Sequence, residues 1–454
     1  MKTSYYNRLW RWHFYAALFI APLLITLTLS GIGYLFYTNV ENKAYDHLFF
    51  GNSASLEKLA IDEGIEKAVQ LNKGYSVAKV IVLDDPYNTR LTMTNQDGDQ
   101  KYVFLDDHYE VVGTQNAKYT FSNMMREIHS SLFVGGTAVN YLVELAACWA
   151  IFLLLTGLYM TMKSRALKKR KNSSKRQKSR KWHAWVGTVI TIPMIIIIFT
   201  GLPWSVFMGD FIYSAAQKHP SIGTPMLKQQ PPESDRSEIP WATRKNKAPS
   251  SEVENEHHAG MQHMQDKQDQ SAMISIEQLI NKADEATIQK PYTINYPSTE
   301  KGVYTVSKSS NTGITGLDVN PDDEMTAYFD QYSGKFLSKV GYKEYGILAK
   351  WFTWGIPLHE GHLFGWPNKL LNLAVCLSFL LVIFLGMKTW LTRKRKGELS
   401  APPVASNGLS ISFVFFMVFL GMIMPLFGLS LIAVAFIEGV LYIKKKEKKE
   451  RIAS

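Results

Sequence analysis

Apolar residues along this chain come in blocks, separated by polar and charged stretches. Four blocks reach the roughly 20 residues that a membrane-spanning helix needs: Phe14 to Tyr37, Tyr141 to Met162, Trp185 to Phe207 and Leu370 to Leu391. A fifth, Ile411 to Ile443, is too long for one ordinary span and breaks at Pro425 and Gly428. The first block stands where a signal peptide would. It is too long for a typical signal segment, and no small-residue cleavage pattern follows it, so it reads as a retained span.

Between the blocks the period changes. From Leu56 to Asn72, Ile61, Ile65, Ala68 and Val69 recur at helical spacing. Alternating runs at Val77 to Leu83, Arg90 to Thr94 and Tyr102 to Leu105 predict strands, with Asp97-Gly98 as a hairpin turn. A second set follows later. It has a helix at Ser275 to Ala286, strands near Tyr292 to Tyr296, Val303 to Lys308 and Met325 to Phe329, and a turn at Ser333-Gly334 before a last strand.

This pattern predicts a membrane α-helical bundle of four core spans plus a C-terminal helical hairpin, with two small α+β domains. The segments are a tail and first span (1–37), a domain (38–138), a span (139–162) and a basic loop (163–182). A third span (183–207) leads to a second domain (208–365), whose stretch 227–271 reads as a flexible insert rich in Pro, Glu, Gln and His. A fourth span (366–391), a loop (392–410), a hairpin of two short spans (411–443) and a basic tail (444–454) complete the chain.

Charge orients this arrangement. The net charge of +11 suggests nucleic acid until its distribution is seen. Lys163 to Lys181 holds eleven Lys and Arg and no acid, and Arg393 to Lys396 and Lys444 to Arg451 are also basic. All abut spans, as the positive-inside rule and contact with anionic lipid require, so membrane lipid is a partner and nucleic acid is not. Both termini are then cytoplasmic and both domains lie outside. The last block must cross an even number of times or be re-entrant. The only cysteines, Cys148 and Cys376, lie within spans, which speaks against a disulfide framework.

The chain repeats itself. Arg11-Trp12-His13 opens the first span and Lys181-Trp182-His183 the third, and both His13 to His183 and Gly31 to Gly201 are separated by 170 residues. Pro22 and Pro193 are mid-span in both. Leu145-Ala146-Ala147-Cys148 matches Leu373-Ala374-Val375-Cys376, and the run around His129 matches the run around His359. The expectation is a duplicated span-domain-span unit.

Histidine at the edge of a span is costly and usually functional. Here it occurs at two levels. His13 and His183 form a cytoplasmic pair, and His129 and His359 an extracytoplasmic one. Imidazole is an axial haem ligand, and bundle cores hold cofactors between facing helices. Two histidines at each of two levels are what two bis-His haems need, with Gly31, Gly201, Gly135 and Gly136 leaving room for a flat macrocycle. Zinc or copper can use the same residues, and interfacial packing is the bland alternative. His362, three residues after His359, would share its helical face. It is open to replacing His359, bonding a propionate or touching substrate. Glu144 suggests a proton relay, or more blandly a residue near the interface that reaches water. In the insert, His257, His258, Met261, His263 and Met264 suit copper, against the alternative of an unstructured polar loop. The tryptophans at span ends, Trp351 and Trp354 among them, fit an aromatic belt, and those two are also placed to line an outer site.

Arg8, Trp10, Arg11, Trp12 and His13, the stretch Leu358-His359-Glu360-Gly361-His362-Leu363-Phe364-Gly365, and the late Pro425, Gly428 and Ser430 together resemble the PepSY-associated transmembrane family. The resemblance covers nearly the whole chain, and both outside domains look like PepSY domains. It implies residence in the bacterial plasma membrane. It also implies kinship with haem-containing reductases of ferric siderophores, with ligands at His13, His129, His183 and His359. The expected function is transmembrane electron transfer through two haem b groups to an extracytoplasmic ferric chelate. The donor is a quinol or a cytoplasmic reductase, because no dinucleotide or flavin motif is present. The rival is a non-redox PepSY anchor that binds a secreted peptidase or an uptake partner.

Overall fold

A computed structural model of the chain describes residues 2–53, 57–164, 174–219, 221–223, 273–299, 301–310, 319–393, 401–402, 411–434 and 436. In chain order, helix α1 (Lys2–Leu35) is followed by α2 (Tyr37–Ala44), α3 (Asp46–Phe49) and α4 (Ile61–Leu71). Strands β1 (Tyr75–Val82), β2 (Thr89–Asn95), β3 (Gln100–Leu105) and β4 (Val111–Asn116) come next, then α5 (Phe121–Ser131) and α6 (Thr137–Lys163). The second half has α7 (Lys175–Gly201), α8 (Val206–Lys218), α9 (Ile276–Glu285), β5 (Tyr292–Asn295), β6 (Val303–Lys308), β7 (Met325–Asp330) and β8 (Phe336–Gly341). The chain closes with α10 (Ile347–Glu360), α11 (Trp366–Leu391), α12 (Ile411–Ile423) and α13 (Pro425–Val434). The chain forms two compact units. One comprises Met1–Gly33, Arg126–Ile212 and Lys369–Ser454, and the other Tyr34–Met125 and Tyr213–Asn368.

The first unit is the membrane unit. Four helices are long and apolar enough to span: Tyr5–Leu35, Thr137–Lys163, Lys175–Trp204 and Trp366–Leu391. Leu24 and Leu27 of α1, Ala146, Ala150 and Leu154 of α6, Val186, Ile190 and Met194 of α7, and Val375 and Phe379 of α11 form their common core. Many other apolar side chains face outward, with Phe19 at 72%, Ile192 at 69% and Leu371 at 57% exposure. An apolar surface of that kind suits lipid and not water.

α12 and α13 meet at Met424, where Pro425 takes the first helical position of α13 and needs no N–H partner. Seven residues of straight helix span about 10 Å. A Cβ on Gly421 would nevertheless stand 3.0 Å from Gly428 Cα, so the chain folds back sharply at the expected place. At about 20 Å and 15 Å, neither described helix matches the roughly 30 Å of a hydrocarbon core. Phe413, Met417, Leu420, Met424 and Phe427 of this hairpin pack on Leu9, Ala16, Cys148, Trp149 and Phe152 of α1 and α6. Trp149 Nε1 donates to Ser430 Oγ at 3.2 Å.

The second unit departs from the expectation of two separate domains. Its strands form one eight-stranded antiparallel sheet in the order β4-β3-β2-β1-β5-β6-β7-β8. The joint is β1 with β5, pairing Val80 with Ile294 and Val82 with Tyr292. Each would otherwise be an edge strand with unpaired N–H and C=O groups, and their pairing removes both edges. Helices α4 and α9 cover one face through Ile61, Ile65, Ala68, Ile276, Leu279 and Ala283. Asp62 of α4 accepts from the first N–H groups of α9, Ile276 at 2.8 Å and Glu277 at 3.0 Å, beside the Ser275 capping box. Strand β4 and helices α2, α3, α5, α8 and α10 have no counterpart in the pattern read from the sequence.

Glu144 does not reach water. It is 1% exposed, and its carboxylate accepts from Phe207 N at 3.0 Å and Met208 N at 3.1 Å, in the first turn of α8. A carboxylate from one helix thus satisfies orphan donors of another. Glu144→Ala is expected to cost about 2–4 kcal/mol by leaving both N–H groups buried and unmet. Glu144→Gln, which keeps one acceptor, should lose less. Thermal unfolding in detergent orders the two variants.

Asp106 lies at the turn between β3 and β4. Burial pushes its pKa up, but hydrogen bonds from Ser53, Glu110 and His108 outweigh burial and hold the carboxyl below its usual range. A depressed folded pKa means that the stabilisation is complete above the ordinary Asp value and is lost as pH falls through the folded one. Asp106→Asn should therefore flatten the acid limb of a stability-against-pH curve. An unchanged acid limb would show the carboxylate to be unimportant.

Candidate functional site

The geometry around the histidines builds up from helix positions. His13 lies in α1, His183 in α7, and both face the interior of the membrane unit. Their ring centroids are 6.4 Å apart, with the planes at 88°. The expected pairing of these two residues is therefore met in space.

Each ring is fixed by its Nδ1. His183 Nδ1 lies 2.9 Å from Val382 O on α11. A carbonyl only accepts, so this nitrogen carries the proton in the neutral ring. His13 Nδ1 lies 2.9 Å from Thr156 Oγ1 on α6. The Thr156 hydroxyl donates to Phe152 O at 2.7 Å, so it accepts from His13. Both imidazoles are thereby set in the Nδ1–H tautomer, which leaves Nε2 with a lone pair. A carbonyl or hydroxyl on the far nitrogen is the arrangement that orients ligating histidines.

The rings also lie against glycine. A Cβ on Gly386 would stand 3.2 Å from His183 Cε1, and one on Gly157 would stand 3.4 Å from His13 Cε1. Neither glycine was singled out in the sequence. The available signal was a lone glycine inside an apolar helix, which usually marks a close approach.

His129 follows the same plan. It lies in the last turn of α5, ahead of the spanning helix α6 and not at its start. Its Nδ1 is 2.8 Å from Leu27 O and 3.1 Å from Ser30 Oγ on α1. A Cβ on Gly31 would stand 3.3 Å from its Cε1, so Gly31 gives room to the imidazole ring. Gly135 and Gly136 have no such neighbour. At φ +77° and +89° they turn the chain between α5 and α6, with nothing within 4 Å of an added Cβ. Leu132 and Phe133, at φ +53° and +60°, share that turn, a costly conformation for residues with side chains.

His359 and His362 belong to the sheet unit. His359 is in the last turn of α10, which ends when Gly361 takes φ +83°. The N–H groups of His362 and Leu363 then return to Pro357 O at 2.9 and 3.1 Å. His362 is thus past the helix, and the shared helical face expected for the two histidines does not exist. Its Nε2 is 3.1 Å from Glu360 Oε2. On α10, Trp351 is 44% exposed and Trp354 is half-buried.

Among the described residues, no group of three or more His, Cys, Asp or Glu is placed to hold a metal ion. His257, His258, Met261, His263 and Met264 lie outside the described residues.

No curated protein matches the chain. A family model described as PepSY-associated TM region matches residues 10–393, from Trp10 in α1 to just past the end of α11. The chain, a multi-pass membrane protein with four candidate spans, belongs to the PepSY-associated TM region family.

Proposed function

We propose that this protein carries electrons across the bacterial plasma membrane, with a haem b held between His13 and His183, and reduces an extracytoplasmic metal chelate, foremost a ferric siderophore. The observation that carries the proposal is the inner pair of rings. Two imidazoles bonded to opposite sides of one metal at about 2 Å each put their ring centres roughly 6 Å apart. The 6.4 Å between the two ring centroids suits that arrangement. A zinc site needs four ligands, nearly all from protein, whereas a haem needs only two axial ones, which is what the two histidines offer. When bound, the haem supplies reversible one-electron chemistry at iron.

The chain's own residues do the rest. Thr156 and Val382 hold the two rings in the tautomer that presents Nε2. Gly157 and Gly386 keep the space beside Cε1 clear. The apolar cores of α1, α6, α7 and α11 exclude water, which sets the polarity that tunes a haem potential. As a ligand of a second haem the sequence nominates His129. The mount of His129 on Leu27 O supports it as a ligand. Fe(II) binds hard oxygen chelators less well than Fe(III), so reduction outside would release the iron. The donor is a quinol or a separate cytoplasmic reductase.

The purified chain in detergent should give a sharp low-spin b-type reduced-minus-oxidised spectrum with about two haems per chain, as two bis-His sites require. His13→Ala and His183→Ala should each remove the same haem equivalent, and His129→Ala the other. Comparing His359→Ala with His362→Ala identifies the remaining ligand. A well-folded preparation grown with ample iron and haem, yet without a haem spectrum, would sink electron transfer and leave a PepSY anchor. Gly386→Val should reduce occupancy of the inner site, because its side chain intrudes on His183.

A further inference from the structure

Two arginines continue the helix faces that build the inner histidine pair. Arg393 comes seven residues after Gly386, on which the ring of His183 rests, and Arg176 comes seven residues before His183 itself. Seven residues are nearly two full helical turns, about 10 Å, and return to almost the same face. Both arginines lie toward the same end of the bundle, where α7 begins and the turn after α11 is closed by Arg393 N donating to Trp390 O at 2.9 Å. The two helices touch along the way. His183 bonds Val382 O, and Ser179, one turn nearer Arg176, donates to Leu385 O at 3.2 Å.

Arg393 is held in place but not neutralised. Its guanidinium lies over the rings of Trp10 and Phe14, 5.2 and 5.3 Å from their centroids. Those residues flank His13 on α1, three before it and one after. Aromatic faces attract a cation without balancing its charge. Arg393 Nε is buried and has no hydrogen-bond partner among the described residues. Burial and, after it, repulsion from Arg176 lower the Arg393 pKa, yet a guanidinium stays charged and only donates. α1, α7 and α11 contain no Asp or Glu, and the one acid of α6, Glu144, is bound to the start of α8 at the other end of the span. Arg11, by contrast, is engaged: its Nη1 donates to Pro402 O at 2.7 Å. Two like charges brought together in a partly buried place are costly until an anion joins them.

We propose that Arg393 and Arg176 bind the two propionate carboxylates of the haem held by His13 and His183. The inference rests on the haem reading above and deepens it by assigning the edge of the macrocycle that faces these helix ends. A haem carries both propionates on one edge. The helix faces that hold the imidazoles lead to one arginine on α11 and one on α7, so that edge, turned toward the helix ends, gives each carboxylate a guanidinium. Arginine meets a carboxylate with two parallel N–H donors. Arg393 is half-buried and Arg176 exposed, so Arg393, the less screened of the two, carries the larger share.

The test uses the full chain in detergent, freed of haem and titrated with haem or with haem dimethyl ester, whose propionates carry no charge. It is read at the haem equivalent that His13→Ala removes. There the wild type should bind haem about tenfold more tightly than the ester, as a charge-assisted pair requires. Arg393→Gln should remove most of that preference by weakening haem alone, and Arg176→Gln should remove part of it. Both should keep the low-spin b-type spectrum, because the axial ligands are untouched. Arg176 is exposed, so its variant tests the proposal even where Arg393→Gln fails to fold. Lys178→Gln, exposed on another face of α7, should change nothing. The proposal is overturned if the wild type binds haem and ester alike, or if the arginine variants keep the wild-type preference. It is also overturned if Lys178→Gln loses the preference as fully as they do, because the general charge of this end is then responsible. A folded wild type that gives no low-spin spectrum with either compound overturns the haem reading itself, and this inference with it.

Discussion

Inside a hydrocarbon layer a polar group has no water to turn to, so its partner must come from the protein. The membrane unit meets this constraint residue by residue. The hydroxyls of Thr28, Thr156, Thr191 and Thr200 donate to carbonyls four residues back in their own helices. Glu144 spends both carboxylate oxygens on the start of α8. The Nδ1 atoms of His13, His129 and His183 are bound in turn, each to a neighbouring helix. At the inner pair the engaged Nδ1 atoms set both rings in the tautomer whose lone pair is on Nε2.

The sheet unit treats polar groups differently. Two of its buried carboxylates, Asp106 and Asp330, each take several donors. Its middle strands, by contrast, keep hydroxyls and an amide unmet. The hydroxyls within the spans are thus satisfied inside their own helices, whereas those of the middle strands are buried without a partner among the described residues.

The legible features were those carried by one-dimensional signals. Span length and apolarity are local, so four spanning helices were evident before any contact was known. The pairing of His13 with His183 was evident too, because a recurrence at 170 residues can be counted. The joint of β1 to β5 was not, because Val80 and Ile294 carry no sign of each other. Their strand patterns fit a two-domain arrangement equally well. Local dihedrals explain the miss at His362: the spacing of three suggests a helix, but Gly361 in the left-handed region ends α10 between the two histidines. Glu144 looked wet because position along a helix says nothing about which other helix begins beside it.

The mounts of the histidines share a geometry that accounts for the glycines. In α11 the carbonyl of Val382 is the helical partner of the N–H of Gly386, four residues on. The imidazole of His183 bonds that carbonyl and rests against that glycine. Leu27 and Gly31 in α1 serve His129 in the same way. A helical carbonyl is shielded by the side chain one turn later, so a ring can reach it only where that side chain is missing. His13 is the variant. Gly157 is in place, but the carbonyl four residues before it, Leu153 O, already receives Thr156 Oγ1 at 3.2 Å, and the ring bonds the hydroxyl instead. The two inner histidines are thus held by unlike acceptors, a carbonyl and a hydroxyl polarised by its own donation. A metal held between them would meet two imidazoles of unequal basicity.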